Sequence, residues 1–178
     1  MIFASTAPSY WNAGLPVIPL LKASKVPAVK LGDFRVPAQA NHQWLNDYAD
    51  SNIGLLLGEV SGVVVLDIDI NCDLSAFIQT ALGDTISWIR AGYRGKALAF
   101  KFNFDAPFRI TSKAGKFVCE LRSNRTQIVL APSVHPISLQ PYTENYPLYE
   151  ADLKCLPDNI EEILRKTVAD YEEIYGAI

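Results

Sequence analysis

The sequence predicts an α+β or mixed α/β domain around one sheet, and three observations carry that expectation. Val63-Val-Val-Leu-Asp-Ile-Asp-Ile70 is a continuous, largely β-branched run of strand length, as in a central strand. Leu98, Phe100, Phe102 and Phe104 alternate with other residues, the period that sends them to one sheet face. Ile160, Ile163, Leu164, Val168 and Tyr171 recur at helical spacing, which makes an amphipathic helix whose apolar stripe needs a sheet to cover.

Ser5 to Ala13 is expected as a short helix stopped at Gly14, and Pro16 to Leu20 as an extended piece whose prolines limit its pairing. Lys22 to Pro37 reads as a loop, Gln39 to Ala49 as a helix carrying Trp44, Leu45 and Tyr48, and Asn52 to Leu57 as a strand closed by Gly58. Ser61-Gly62 and Asn71 bound the central strand. Asp73 is placed to cap a helix running to about Leu82, with Gly83-Asp84 as its stop. Thr85 to Ile89 and Ala97 to Phe104 follow as strands. Lys116 to Arg122 and Gln127 to Ala131 are expected to form a hairpin through Ser123-Asn124-Arg125. Asp158 and Glu161 have capping-box spacing ahead of the last helix. Helices at the beginning, middle and end among long strands imply one sheet with parallel and antiparallel pairs.

A chain of 178 residues, 49% hydrophobic, can bury one sizeable core and is too short for two ordinary catalytic domains. One domain over residues 1–178 is expected, with its core at about 10–164. The net charge of −3 argues against a surface that binds polyanions everywhere, but leaves room for a local basic groove. Arg90, Arg94, Lys96 and Lys101 cluster centrally; Lys22, Lys25 and Lys30 cluster early and read equally well as solvated lysines. Cys72, Cys119 and Cys155 lie far apart, so neither a disulfide framework nor a zinc site is supported. No apolar stretch approaches the roughly 18 residues that cross a bilayer, and the start lacks a secretory pattern. A cytoplasmic protein is expected.

Strand alternation sends Asp67 and Asp69 to the same face, roughly 6–7 Å apart. Two readings of the pair stand. Their repulsion is relieved by a divalent cation, for which hard oxygen ligands favour Mg²⁺ or Mn²⁺ over zinc; or both lie at the exposed end of the strand and begin a loop. Glu120 and Arg122 alternate in the same way, opposite Phe117, Cys119 and Leu121. Beside the Val63 to Ile70 strand, Glu120 would complete a three-carboxylate cluster of the kind used in phosphoryl transfer, and Arg122 would meet a phosphate. The other reading is an ion-paired, exposed face of a half-buried hairpin. His135, between Pro132-Ser-Val and Pro136, fits a site margin or a rigid loop. No Gly-x-x-x-x-Gly-Lys-Ser/Thr loop occurs, so any ATP-driven translocation would belong to another domain or protein.

From about Tyr10 to Leu164 the chain resembles the N-terminal domain of bifunctional primase-polymerases of plasmid and phage replication proteins, in the archaeo-eukaryotic primase superfamily. The matching pieces are Ala-Gly-Leu-Pro-Val-Ile-Pro-Leu at Ala13 to Leu20, Lys25-Val-Pro27, Trp44, Asn52-Ile-Gly with Gly58, and Ser61-Gly-Val-Val-Val-Leu-Asp-Ile-Asp69. Glu120-Leu-Arg122, Ala131-Pro-Ser-Val-His135 with Tyr142, and Leu156-Pro157 complete them.

The resemblance implies a primase catalytic core with an RRM-like mixed sheet flanked by helices. It implies Mg²⁺ or Mn²⁺ held by Asp67, Asp69 and Glu120, the family usually having aspartate at the third position. Nucleoside triphosphates and a single-stranded DNA template are the implied partners, with a helicase domain or replication protein alongside. The family's second motif, roughly Ser-Gly-Gly-x-His, is replaced here by Tyr93-Arg94-Gly95-Lys96-Ala97, which lacks the phosphate-contacting histidine. Arg94, Lys96 or Lys101 would supply replacement charge, with Arg122 and His135 also facing the nucleotide. Three functions remain open: a DNA primase/polymerase, a primase-like module that binds single-stranded DNA or nucleotide without turnover, and a metal-dependent nuclease.

Overall fold

A computed structural model describes residues 1–31, 42–70 and 73–178. In chain order the elements are α1 (Ile2–Asn12), β1 (Val17–Leu20), α2 (Trp44–Asp47), β2 (Asn52–Leu56), β3 (Val63–Ile68), α3 (Leu74–Leu82) and β4 (Trp88–Ala91). They continue with β5 (Lys96–Lys101), β6 (Arg109–Thr111), β7 (Phe117–Arg122), β8 (Gln127–Val129), β9 (Thr143–Glu144) and α4 (Ile160–Tyr175). The α+β class holds. The strands nevertheless form two sheets rather than one, ordered β1-β2-β8 and β6-β7-β3-β5-β4-β9, and every ladder between the described strands is antiparallel.

The β-branched run does become a central strand, with β5 on one side and β7 on the other. Alternation along it builds two layers. Val64, Leu66 and Ile68 turn toward Leu74, Ile78 and Leu82 of α3 and Ile160, Leu164 and Val168 of α4. The helical spacing read from the sequence is thus the stripe that seats α4 on the sheet, each such leucine contributing about 1.5–3 kcal/mol by burial. Val63 and Val65 turn the other way, into a core shared with Phe3, Ala7 and Tyr10 of α1 and with Ile53, Leu55 and Ile128 of the small sheet.

The expected hairpin does not form. β7 pairs with β3 and β6, whereas β8 pairs with β2 in the other sheet. The Ser123-Asn124-Arg125 connection crosses between sheets instead of folding back. Asn124 Oδ1 accepts the Glu59 N–H at 2.9 Å, and Ile128 and Leu130 enter the core between the sheets. Pro19 fits because β1 is an edge strand, where a missing donor leaves no internal ladder broken.

Other boundaries shift locally. α1 begins before the expected Ser5 and encloses Pro8; Ser5 Oγ donates to Met1 O at 2.7 Å. Of the helix expected over Gln39 to Ala49, residues 39–41 lie outside the described residues and only Trp44–Asp47 is helical. The Lys22 to Pro37 loop is described only through Leu31. Asp73 does occupy the N-cap of α3, but without a side-chain cap bond. Asn159, not Asp158, is the N-cap of α4, and Glu161 pairs with Arg165 at 2.6 Å rather than closing a capping box. The short strands β6 and β9 carry no clear periodicity and were not anticipated. Cys119 is buried and Cys155 exposed, both free; burial pushes the Cys119 thiol up to about 12. Cys72 lies outside the described residues. No described helix is long and apolar enough to cross a membrane.

Candidate active site

Register in an antiparallel sheet aligns side chains as well as backbones, because directly opposed residues project to one face. The pairs Arg109↔Glu120, Glu120↔Asp67, Asp67↔Ala97, Ala97↔Arg90 and Arg90↔Glu144 make a continuous row across six strands. The next row reads Arg122, Val65, Ala99, Trp88. Val65, Ala99 and Trp88 are sealed at 0% exposure. In the first row Asp67 is half-buried, and Asp69, one step past the end of β3, is exposed. The site therefore begins where the cover of α1 and the small sheet stops.

Glu120 and Asp67 share a face and stand about 4.5–5.5 Å apart at Cα, the spacing of opposed residues. Asp69 N donates to Val118 O at 3.1 Å, which keeps the strand direction and returns its side chain to the same face. Part of each reading of Glu120 and Arg122 is present: the pair lies beside Asp67 on one face, and it is ion-paired, though not on a hairpin. Arg122 Nε donates to Glu120 Oε1 at 2.8 Å and lies 3.4 Å from Asp67 Oδ2. Arg109 Nη2 donates to Glu120 Oε2 at 2.9 Å, and Arg90 Nη2 lies 3.7 Å from Asp67 Oδ1. Burial alone would raise the Glu120 carboxyl, but the hydrogen bonds from Arg109 and Arg122 outweigh it and hold it below its ordinary range.

In donor chemistry and face, these carboxylates fit a divalent metal. Among the described residues, however, no three His, Cys, Asp or Glu side chains already converge on one point, and arginines hold both Glu120 oxygens. A bound ion would displace arginine contacts that now neutralise the cluster.

A pocket of about 260 Å³ opens above the row, bordered by Asp67, Asp69, Arg90, Arg122, Tyr93 and His135. Arg94 and Lys25 reach it too. Gly95 explains the close approach of the loop before β5, since a Cβ there would lie 1.8 Å from the Ile68 carbonyl oxygen. His135 is fixed by its own loop. Its Nδ1 accepts the N–H groups of Ile137 and Ser138 at 3.1 and 3.3 Å, leaving Nε2 to carry the proton. Burial, then Lys25 and Arg90, pushes its pKa down, so near neutral pH His135 is an uncharged donor.

Of the expected phosphate-binding residues, Arg94, Arg122 and His135 border this pocket; Lys96 and Lys101 do not. Lys96 is opposite Ile68, on the helix-covered face, and Lys101 is opposite Val63 at the far end of β5. Alternation had placed Lys101 on the right face but not at the right end. Phe117, expected on the core face, borders the pocket. One extra residue, Val118, lies between the Ile110↔Cys119 and Thr111↔Phe117 pairs, and such a bulge inverts the alternation beyond it.

Arg90, Arg109 and Tyr142 were missed as site residues. The Arg90 guanidinium lies 4.5 Å from the centre of the Tyr142 ring, in a cation–π contact. A strand read as Trp88-Ile-Arg-Ala rather than Thr85 to Ile89 would have set Arg90 beside Ala97.

No curated protein matches the chain. The model of the bifunctional DNA primase/polymerase N-terminal family matches residues 7–159. Its members are DNA primases and polymerases that act on DNA and nucleotides and generally use divalent metals. The family is matched over most of the chain, and the carboxylate-bearing strands and their open face lie within the matched segment. The chain belongs to the bifunctional DNA primase/polymerase N-terminal family.

Proposed function

We propose that this chain is a template-directed nucleotidyltransferase, a DNA primase/polymerase that extends or begins a strand from nucleoside triphosphates during plasmid or phage replication. The observation that supports it most is the direct opposition of Asp67 and Glu120 on the open part of the sheet face, with Asp69 on the same side. Asp67, Asp69 and Glu120 would hold two Mg²⁺ or Mn²⁺ ions, which supply charge neutralisation at the attacking 3′-oxygen and the leaving pyrophosphate. Arg122 and Arg94 would orient the triphosphate, and His135 would donate a neutral hydrogen bond to it. The open sheet face bordering the pocket would take the single-stranded template. We read the chain as one catalytic domain working in the cytoplasm, with helicase activity supplied by another domain or protein.

Asp67→Asn keeps the shape and removes the charge. Primer extension on single-stranded template with Mn²⁺ should fall at least about 10³-fold. The variant should still unfold cooperatively, within about 1–2 kcal/mol of the parent, the loss reflecting a weakened counter-ion for Arg90. Equal activity in the variant would refute the mechanism.

Ala97 and the arginine contacts to Glu120 also support a second reading, a non-catalytic module that holds nucleotide or single-stranded DNA for a replication partner. Primer synthesis by the parent decides for the enzyme. Synthesis appearing only in Ala97→His decides for the module, and strand degradation without added nucleotides identifies a nuclease.

A further inference from the structure

Arg90 is 5% exposed, and a buried guanidinium keeps its charge because it cannot give up a proton in water-accessible pH ranges. Such a group needs partners for its donors. Here Nε has no hydrogen-bond partner, and Nη2 stands 3.7 Å from Asp67 Oδ1, outside hydrogen-bond reach. The Tyr142 ring covers one face of the guanidinium. Glu144, opposite Arg90 on β9, forms no ion pair with it among the described residues, and its own Oε2 is also without a partner. A charged fork is thus held in place at the pocket wall with its Nε unpartnered and its contact to Asp67 longer than a hydrogen bond.

The route of the side chain shows where the fork is aimed. Arg90 and Asp67 lie on β4 and β3, separated by β5, so the two side chains reach toward each other across two strand spacings, about 9–10 Å. It passes over Ala97, the residue between them in the row. A larger side chain there would occupy that corridor. The smallness of Ala97 and the reach of Arg90 are two halves of one arrangement, which delivers a cation to the inner end of the pocket beside Asp67.

We infer that Arg90 is a phosphate-binding residue of this site: it grips the triphosphate of the incoming nucleotide above Ala97, with Asp67 as its counter-ion only until a divalent cation takes that carboxylate. The inference rests on the nucleotidyltransferase reading. It adds a coupling. A cation bound at Asp67 takes that carboxylate from Arg90, and from Arg122, which keeps Glu120; a phosphate restores the balance, and metal and triphosphate therefore tighten each other, by the same factor in both directions.

The test uses a non-hydrolysable imido analogue of a nucleoside triphosphate, titrated calorimetrically with and without Mn²⁺. Free Mn²⁺ is followed separately by its paramagnetic resonance signal. The parent should bind the analogue, and each ligand should tighten the other about ten-fold or more. Arg90→Met should weaken analogue binding about 10–100-fold, the range for a charge-assisted fork, and reduce the coupling toward one. Mn²⁺ alone should bind Arg90→Met no more weakly than it binds the parent. An analogue affinity within two-fold of the parent's in the folded variant overturns the assignment. If Arg90→Met does not melt cooperatively, Arg90→Lys, which keeps the charge without the fork, should still lose about ten-fold, and unchanged affinity there overturns it equally. A parent that fails to bind the analogue with Mn²⁺ overturns the nucleotidyltransferase reading and this assignment together, whereas equal binding by parent and variant overturns the assignment alone.

Discussion

The open face of the six-stranded sheet has two parts that obey the same backbone rule and reach opposite outcomes. Val65 and Asp67 are neighbours on one face of β3, and Ala99 and Ala97 stand beside them on β5. Val65 and Ala99 are sealed under α1 and the small sheet, with Ala97 buried in the same core; Asp67 reaches the pocket. Alternation decides where a side chain points, and what lies above decides whether it becomes core or chemistry. Arg122 links the two parts: it shares a row with Val65, yet its guanidinium runs along the face to Glu120 and Asp67.

The hardest test of this contrast moves one substitution along the strand. Asn at position 67 is tolerated by the fold in the expectation above; Val65→Asn puts the same amide where Val65 is 0% exposed. Loss of the valine packing plus an unsatisfied buried amide should cost about 3–5 kcal/mol. Urea unfolding measures it. A cost below about 1 kcal/mol would show that the cover is loose and that the two parts of the face are not distinct.

Sequence alone revealed the ingredients of this contrast better than its boundary. Val63 to Ile70, the α4 stripe and the Glu120/Arg122 alternation are local periodic patterns, and they survive as β3, α4 and β7. Pairing partners are not local. Nothing in the short link from Arg122 to Gln127 says whether β8 returns to β7 or leaves for β2, so the hairpin and the single sheet were both misjudged. The common face of Asp67, Asp69 and Glu120 was legible because alternation and family resemblance agree on it. Arg90 was not, because its strand was placed too early and its role depends on a small residue in the adjacent strand. Lys101 failed for the complementary reason, since alternation gives a face and says nothing of distance along it.

A smaller effect comes from the far end of the charged row, where Glu144 tests whether cover alone shifts chemistry. Burial pushes its carboxyl up to about 7, against lowering by a Trp88 hydrogen bond and by Arg90. The sign follows directly. Below the unfolded value near 4.3 the group is protonated in both states; between there and about 7 the folded chain keeps a proton that the unfolded chain has lost. That stability is present at low pH and is lost as pH rises through this window. Glu144→Gln should therefore melt a few degrees above the parent at alkaline pH, with the gap closing toward pH 4. The difference between the two proteins is the quantity to follow, because Glu120, whose pKa is lowered, contributes with the opposite sign and is lost as pH falls. A gap that stays constant across the range would mean that Glu144 is solvated and that the cover ends before β9.

The smallest expected effect is the most informative about where the site stops. Lys101 is opposite Val63, on the same face as Asp67 but four residues along β3, about 13 Å away at strand rise. That exceeds the Debye length of about 8 Å at physiological salt, and its exposed ammonium is screened from any phosphate held beside Asp67. Lys101→Ala should leave affinity for the triphosphate analogue within about two-fold at 0.15 M ionic strength. Arg94, which borders the pocket and lies over the Tyr93 ring at 5.3 Å, should lose about three- to ten-fold on replacement by alanine, as expected for a partly solvated charge. Competition against a fluorescent analogue reads both. Equal losses would mean that phosphates also run past the valine end of β3, which would make the covered part of this face a continuation of the binding surface rather than its limit.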